Sequence, residues 1–273
     1  MRKVYGMGVV AAVLALAGSP AWASLLAYEG FDYTAGSAVS GLNGGSGWQS
    51  AWSASVGSGT NGSQTVTNPT LSEDGITGIG NRMVLAATGA NVSSNANRTI
   101  FSSTKDSGTY WLSVMASNDG GNSTSFGYVQ LNDSNSNVPV RIGYSGGASA
   151  GTWYVASPVT SSSAKSDTGI SATAALLVLK LDLTNKEANL WVNPTSAASP
   201  ADATLALSTT SSYVRFDRMS IRVSSSSSNT TTGSFDEIRL GQSYADVVPE
   251  PASLVLIGLA GVMLLPRRRQ QQA

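Results

Sequence analysis

Between residues 175 and 183, Leu177, Leu179, Leu181 and Leu183 fall on one side of an extended chain, and Lys180 and Asp182 fall on the other. The same period of two returns in 138–144, where Val138, Val140, Ile142 and Tyr144 alternate with Arg141 and Gly143, and in 218–223, where Met219, Ile221 and Val223 alternate with Arg218, Ser220 and Arg222. Side chains two apart share a face of a strand, so each stretch predicts a half-buried strand. Further strands are predicted at 25–33, 82–88, 109–117, 125–131, 152–156, 187–192 and 234–240. The segments 41–45, 118–121 and 132–135 are rich in Asn, Asp and Gly, which tolerate positive φ and close hairpins. The Ser- and Thr-rich stretch 224–232 reads as a loop between two strands. Short strands with regular turns and no helical period predict one all-β domain, an antiparallel sandwich or barrel, over residues 24–246.

Both ends break the pattern. Arg2 and Lys3 precede an apolar run at 7–17, Pro20 follows, and Ala21 and Ala23 are small where signal peptidase cuts; residues 1–23 therefore read as a signal peptide and Ser24 as the mature start. At the other end, residues 252–265 are all apolar or small. As a helix they span roughly 21 Å, less than a hydrocarbon core of ~30 Å. Pro249 and Pro251 detach this run from what precedes it, and Arg267, Arg268 and Arg269 hold its far end on the cytoplasmic side, their long stems relieving the mismatch.

Val248, Pro249, Glu250 and Pro251, followed by the apolar run and the three arginines, closely resemble the PEP-CTERM sorting signal of Gram-negative bacteria that make extracellular polysaccharide. The resemblance covers the tail 247–273. It implies a single C-terminal membrane helix, recognition by an exosortase-type membrane protease near the Pro-Glu-Pro, and a mature form at the cell surface or in the extracellular matrix.

Composition removes most chemistry. There is no Cys and no His, so disulfides, thiolate sites, the Ser-His-Asp triad and imidazole-bound metals are excluded. The formal net charge is zero, but Arg2, Lys3 and Arg267–Arg269 supply basic charge at the ends, leaving the middle mildly acidic. Nucleic acid is not an expected partner.

A second resemblance lies in the middle. Tyr28-Glu29-Gly30-Phe31-Asp32-Tyr33, Gly44-Gly45-Ser46-Gly47-Trp48 with Trp52, the 179–182 and 188–192 fragments, and Ser234 to Gly241 resemble concanavalin A-like (laminin G-like) modules. That family implies a jelly-roll sandwich of two curved sheets, often used to bind carbohydrate or protein.

Jelly-roll glucanases carry Glu-x-Asp-x-x-Glu on one strand, because alternate residues face one bond together. That string does not occur here. Asp236 and Glu237 are neighbours and, on a regular strand, point to opposite faces. Asp236 shares a face with Ile238 and Leu240 and is expected to be buried there. No cofactor is expected; a calcium site built on Asp32 and Asp236 is the one metal reading the acidic residues offer. Trp191, Trp48 and Trp52 are the leading candidate platforms for a sugar ring, with Trp111, Trp153 and Tyr154 as further candidates and core packing as the alternative role of each. The sequence thus predicts an exported, non-enzymatic surface or matrix protein, and the concanavalin A-like resemblance implies binding of extracellular polysaccharide. The alternative is a carbohydrate-active enzyme with carboxylates from separate strands.

Overall fold

The period-two pattern is realised as two antiparallel sheets that bury one common core. The computed structural model describes residues 25–248, apart from 58–60, 74–75, 121–125, 146–150, 159–163, 197 and 226–229. The predicted signal peptide with Ala21, Ala23 and Ser24 lies outside the described residues. So do Pro249, Glu250, Pro251, the 252–265 run and Arg267, Arg268 and Arg269; Val248 lies inside. Among the described residues, no helix is long and apolar enough to cross a membrane.

Strands are numbered in chain order. One sheet, here the back sheet, runs β15 (Ala203–Ala206), β14 (Glu187–Val192), β13 (Ala174–Asp182), β8 (Thr109–Gly120), β17 (Thr230–Gly241), β6 (Arg82–Thr88) and β3 (Gly62–Thr67), with β1 (Ala27–Glu29) also paired to β17. The front sheet runs β12 (Ala164–Ser171), β11 (Thr152–Ser157), β10 (Val140–Ser145), β9 (Phe126–Asn132), β16 (Arg218–Ser225), β7 (Val92–Thr99) and β2 (Ser53–Gly57). A small hairpin, β4 (Ser72–Glu73) and β5 (Ile76–Thr77), stands apart, and a short helix α1 (Tyr244–Val247) follows β17. The chain crosses repeatedly between sheets, as in a jelly roll.

Inward residues match the alternation. Leu177, Leu179 and Leu181 of β13 share one buried cluster with Val129 and Leu131 of β9, Ile142 of β10 and Ile221 of β16. Burying each such side chain contributes about 1.5–3 kcal/mol. Two predicted features change. The turn expected at 118–121 is largely strand, because β8 continues to Gly120. Of the strand predicted at 25–33, only Ala27–Glu29 pairs, and Phe31 has φ 51°, which ends the extended run.

The two outer faces differ. Behind the back sheet, Met115, Leu176, Val178 and Trp191 form a second cluster closed by Val247 of α1. That helix is held by a capping box between Ser243 and Asp246, and Ser113 Oγ donates to the Val247 carbonyl at 2.6 Å. A strap, residues 68–73 and 76–80, covers the neighbouring part of the same face through Thr70, Leu71 and Ile79. In front, no comparable layer is found among the described residues: both apolar clusters lie between the sheets or behind the back sheet.

Candidate functional site

The Tyr28–Trp52 motif folds into a buried ionic hub. Glu29 is 1 % exposed and accepts from Phe31 N (2.9 Å), Tyr33 Oη (2.8 Å), Trp52 Nε1 (3.0 Å) and the Arg98 guanidinium. Arg98 spends its other donors on the carbonyls of Ser50 and Gly44 and on Asn43 Oδ1, and it lies 4.8 Å from the Trp48 ring centroid. Trp48 Nε1 donates to Tyr28 O at 2.8 Å, and Trp52 is buried and stacked on Phe31. Burial and the Glu29 charge push the Tyr33 hydroxyl up to about 12. Trp48 and Trp52, the candidate sugar platforms, are therefore brought together as structural parts of this hub.

Trp191 faces away from the core, as its alternation suggested, yet it is only 7 % exposed. It stacks on Trp111 at 5.4 Å and donates Nε1 to Ser199 O at 2.9 Å. Tyr244 of α1 packs edge-on against Trp111. The covered back face leaves no open ring there for a sugar.

Asp236 and Glu237 correct the expectation of opposite faces. The pairing of β17 with β8 shifts between Asp236 and Arg239, and Glu237 has φ 47°. This bulge breaks the alternation. Ile238 and Leu240 still enter the core, but Asp236 lies opposite Met115 and turns outward under the strap. Asp236, fully buried, accepts from Thr70 Oγ1 (2.5 Å), Leu71 N (3.0 Å) and Glu237 N (2.8 Å). Glu237 accepts from Ile79 N and Tyr28 Oη, both at 2.9 Å, and pairs with Arg239 at 2.6 Å. Burial raises the Asp236 carboxyl to about 7 against the opposing hydrogen bonds. Asp32, the other residue of the calcium reading, is exposed. Among the described residues, no three acidic side chains converge into a metal site.

The open front face has a different character, and register fixes what stands beside what. One row across it runs Tyr154 (β11), Gly143 (β10), Tyr128 (β9), Arg222 (β16), Asn95 (β7) and Ser55 (β2). A side chain at Gly143 would put its Cβ 2.7 Å from the Cβ of Tyr128, so a hydrogen is all that fits between the two tyrosines. In the adjacent row Arg141 of β10 lies opposite Gln130 of β9, with Ser220 and Asn97 beyond. Arg141 sits 3.7 Å over the Tyr128 ring and donates to Gln130 Oε1, and Phe126 stacks parallel to Tyr128 at 5.7 Å. Lys165 caps Tyr154 at 4.7 Å and pairs with Asp167. Burial drives the Tyr154 hydroxyl far above its ordinary value, so it is a neutral donor.

At one end the face opens into a cleft of about 350 Å³ lined by Ser53, Asn97, Thr99, Asn132, Asp133 and Arg218. Burial raises the Asp133 carboxyl, but hydrogen bonds from Asn137, Arg215 and Asn135 outweigh it and hold the group below its ordinary range. Asp133 and Asp167 border this face from the β9 turn and from β12, three strand spacings and about five residues of strand length from each other, on the order of 20 Å. A glycosidase pair stands about 5–10 Å apart. Of these front-face residues, the sequence pointed to Tyr154 as a candidate platform, to the 132–135 loop, and, through the alternation, to Arg141, Ser220, Arg218 and Arg222 on the polar side; Phe126, Tyr128 and Gln130 were not singled out.

No family model matches the chain, and no curated protein sequence matches it. Solved structures do. An immunostimulatory antigen and pseudo beta-1,3-glucanase of Mycobacterium tuberculosis superposes with a TM-score of 0.50 at 14 % identity, over 81 % of this chain and 99 % of that one. A glycosyl hydrolase family 16 protein of Mycobacterium smegmatis gives 0.48 at 14 % identity, over 80 % and 100 %. An alginate lyase solved with dimannuronate gives 0.42 at 10 % identity, over 64 % and 87 %. The shared feature is a jelly-roll β-sandwich. The likeness to the pseudo beta-1,3-glucanase corrects the expectation of a non-enzymatic protein: the fold is one shared with a glucanase-type protein, and the lack of His, Cys and one carboxylate string does not exclude catalysis on it.

Proposed function

We propose that this is an exported protein whose front sheet holds extracellular polysaccharide, and that its C-terminal tail sorts it by way of an exosortase-type protease. One observation carries the polysaccharide reading. Behind the back sheet α1 and the strap cover the surface, whereas among the described residues the front face presents ordered rows of amide, hydroxyl and guanidinium groups, with the Tyr128 and Tyr154 rings packed beneath Arg141 and Lys165. Sugars offer many hydroxyls, and such rows supply donors and acceptors for them. The likeness of fold to a pseudo beta-1,3-glucanase agrees with this reading.

Affinity electrophoresis of the full chain in gels cast with soluble polysaccharides tests it. Retardation by at least one polymer is expected; unchanged mobility in every polymer would end the proposal. Binding is common to a lectin-like module and a hydrolase, so the same mixtures are scored for released oligosaccharides. For the tail, the mass of the mature protein is expected to lack residues beyond about Pro251, together with residues 1–23. An intact C-terminus in the surface fraction would refute the sorting part.

A further inference from the structure

The front face carries positive charge that the protein leaves unbalanced, and we propose that the polysaccharide it holds is anionic, received at Arg141 and Arg222 on either side of Tyr128. This rests on the reading of the front face as the polysaccharide surface. Other cations here are spoken for: Lys165 is paired with Asp167, Arg218 with Asp217, and Arg215 with Asp133. Arg141 and Arg222 have no carboxylate partner among the described residues. Arg141 is held by a neutral amide and an aromatic face, which orient it without cancelling its charge.

Arg222 is the sharper case. It sits mid-sheet between Tyr128 and Asn95, and its Nε is buried with no hydrogen-bond acceptor. That nitrogen is closed to solvent, so an incoming oxyanion would meet the outer end of the half-exposed side chain, whose charge has no carboxylate partner among the described residues. The planar guanidinium fork suits carboxylate and sulfate oxygens alike. Two strand spacings and a two-residue step separate the arginines, about 12 Å, so they would engage successive charges along a chain and not one group. Gln130, Ser220 and Asn95 lie around them for the neutral hydroxyls.

The test uses the full chain in gels containing polygalacturonate (carboxylate), dextran sulfate (sulfate) or neutral dextran. Retardation by one or both acidic polymers, with little or none by dextran, is expected, and the acidic polymer that binds identifies the anion. Arg141→Gln and Arg222→Gln should each weaken that binding by about tenfold or more, the scale of a charged hydrogen bond. Lys180→Gln, which removes a cation from the back sheet, should leave it unchanged, and all variants should keep the parent melting temperature. Equal binding of dextran and the acidic polymers, or equal losses in Lys180→Gln, would overturn the anionic assignment while leaving a polysaccharide face standing. Mobility unaltered in all three gels, and in the wider set of polymers, would remove the underlying reading itself.

Discussion

Asp236 shows how one carboxyl can set a pH response far from any ligand. Its value is raised to about 7, from 3.8, chiefly by burial beneath the strap. Between about pH 4 and pH 7 the folded protein keeps a proton that the unfolded chain has released, so stability from this group is full below pH 4 and falls as pH rises to 7. Asp133 and Asp182, lowered by hydrogen bonds, act in a separate window: their contribution is present above 3.8 and lost as pH falls further. Melting temperatures at pH 5 and pH 8 are therefore expected to differ less in Asp236→Asn than in the parent. An undiminished difference would show that Asp236 is not its source. At the ionic hub, Arg98→Met leaves the Glu29 carboxylate buried and unpaired, which is expected to cost about 3–5 kcal/mol in chemical denaturation. A companion Glu29→Gln/Arg98→Met variant should lose less than the two single changes added together. Burial of Asp236 was legible from its apolar neighbours; its direction was not, because a one-residue bulge reverses the face and leaves no mark in the pattern.

Strands announced themselves in proportion to their apolar content. β13, with leucines inward, and β16, with Met219, Ile221 and Val223 inward, could be read directly. β7 could not, although it lies between β16 and β2. Its inward positions are Ser94, Ala96 and Arg98, buried because Ser94 bonds to Gln64 and Ser63 and Arg98 enters the hub. Polar groups paired inside a core mimic a loop when only hydrophobicity is counted. β2, β3, β12 and β15 were missed for a related reason: they lie at or near sheet edges, where Ser, Thr and Gly suffice. Close packing makes its own demand between β9 and β10. A Cβ at position 143 would come within 2.1 Å of the Gly127 carbonyl oxygen. Gly143→Ala is expected to destabilise by about 1–3 kcal/mol and to disturb Tyr128, visible as a lower denaturation midpoint and a changed near-UV spectrum. A fully native variant would mean that the two strands part more easily than their pairing implies.

Across the whole molecule, the sandwich was legible and the inequality of its two outer faces was not. The seal on the back comes from a four-residue helix and a turn-rich strap, both too short to carry a period. The candidate tryptophans were consequently sought where rings are now occupied by Glu29, Arg98 and α1, while Tyr128, spaced among Arg and Gln, passed as an ordinary strand residue. Ending the chain after Gln242 removes Tyr244 and Val247 and opens the cluster of Trp111, Met115 and Trp191. Loss of the Val247 side chain alone is expected to cost about 1.5–3 kcal/mol, with a rise in binding of a hydrophobic dye. Unaltered stability and dye binding would mean that α1 is not the seal.

The site of α1 also settles how the molecule would carry a mechanical load. Val248 leaves the sandwich from the back sheet, beside the Ser113–Val247 hydrogen bond. A pull on the tail, of the kind an anchored chain feels when its ligand is dragged by flow, would enter at that bond and at the Val247 contact. It would peel the smallest element away from one sheet before it strained the other. The proposed polysaccharide face and the end of α1 lie on opposite sides of the core, so on that proposal tension on the tail would loosen α1 before it reached the front sheet.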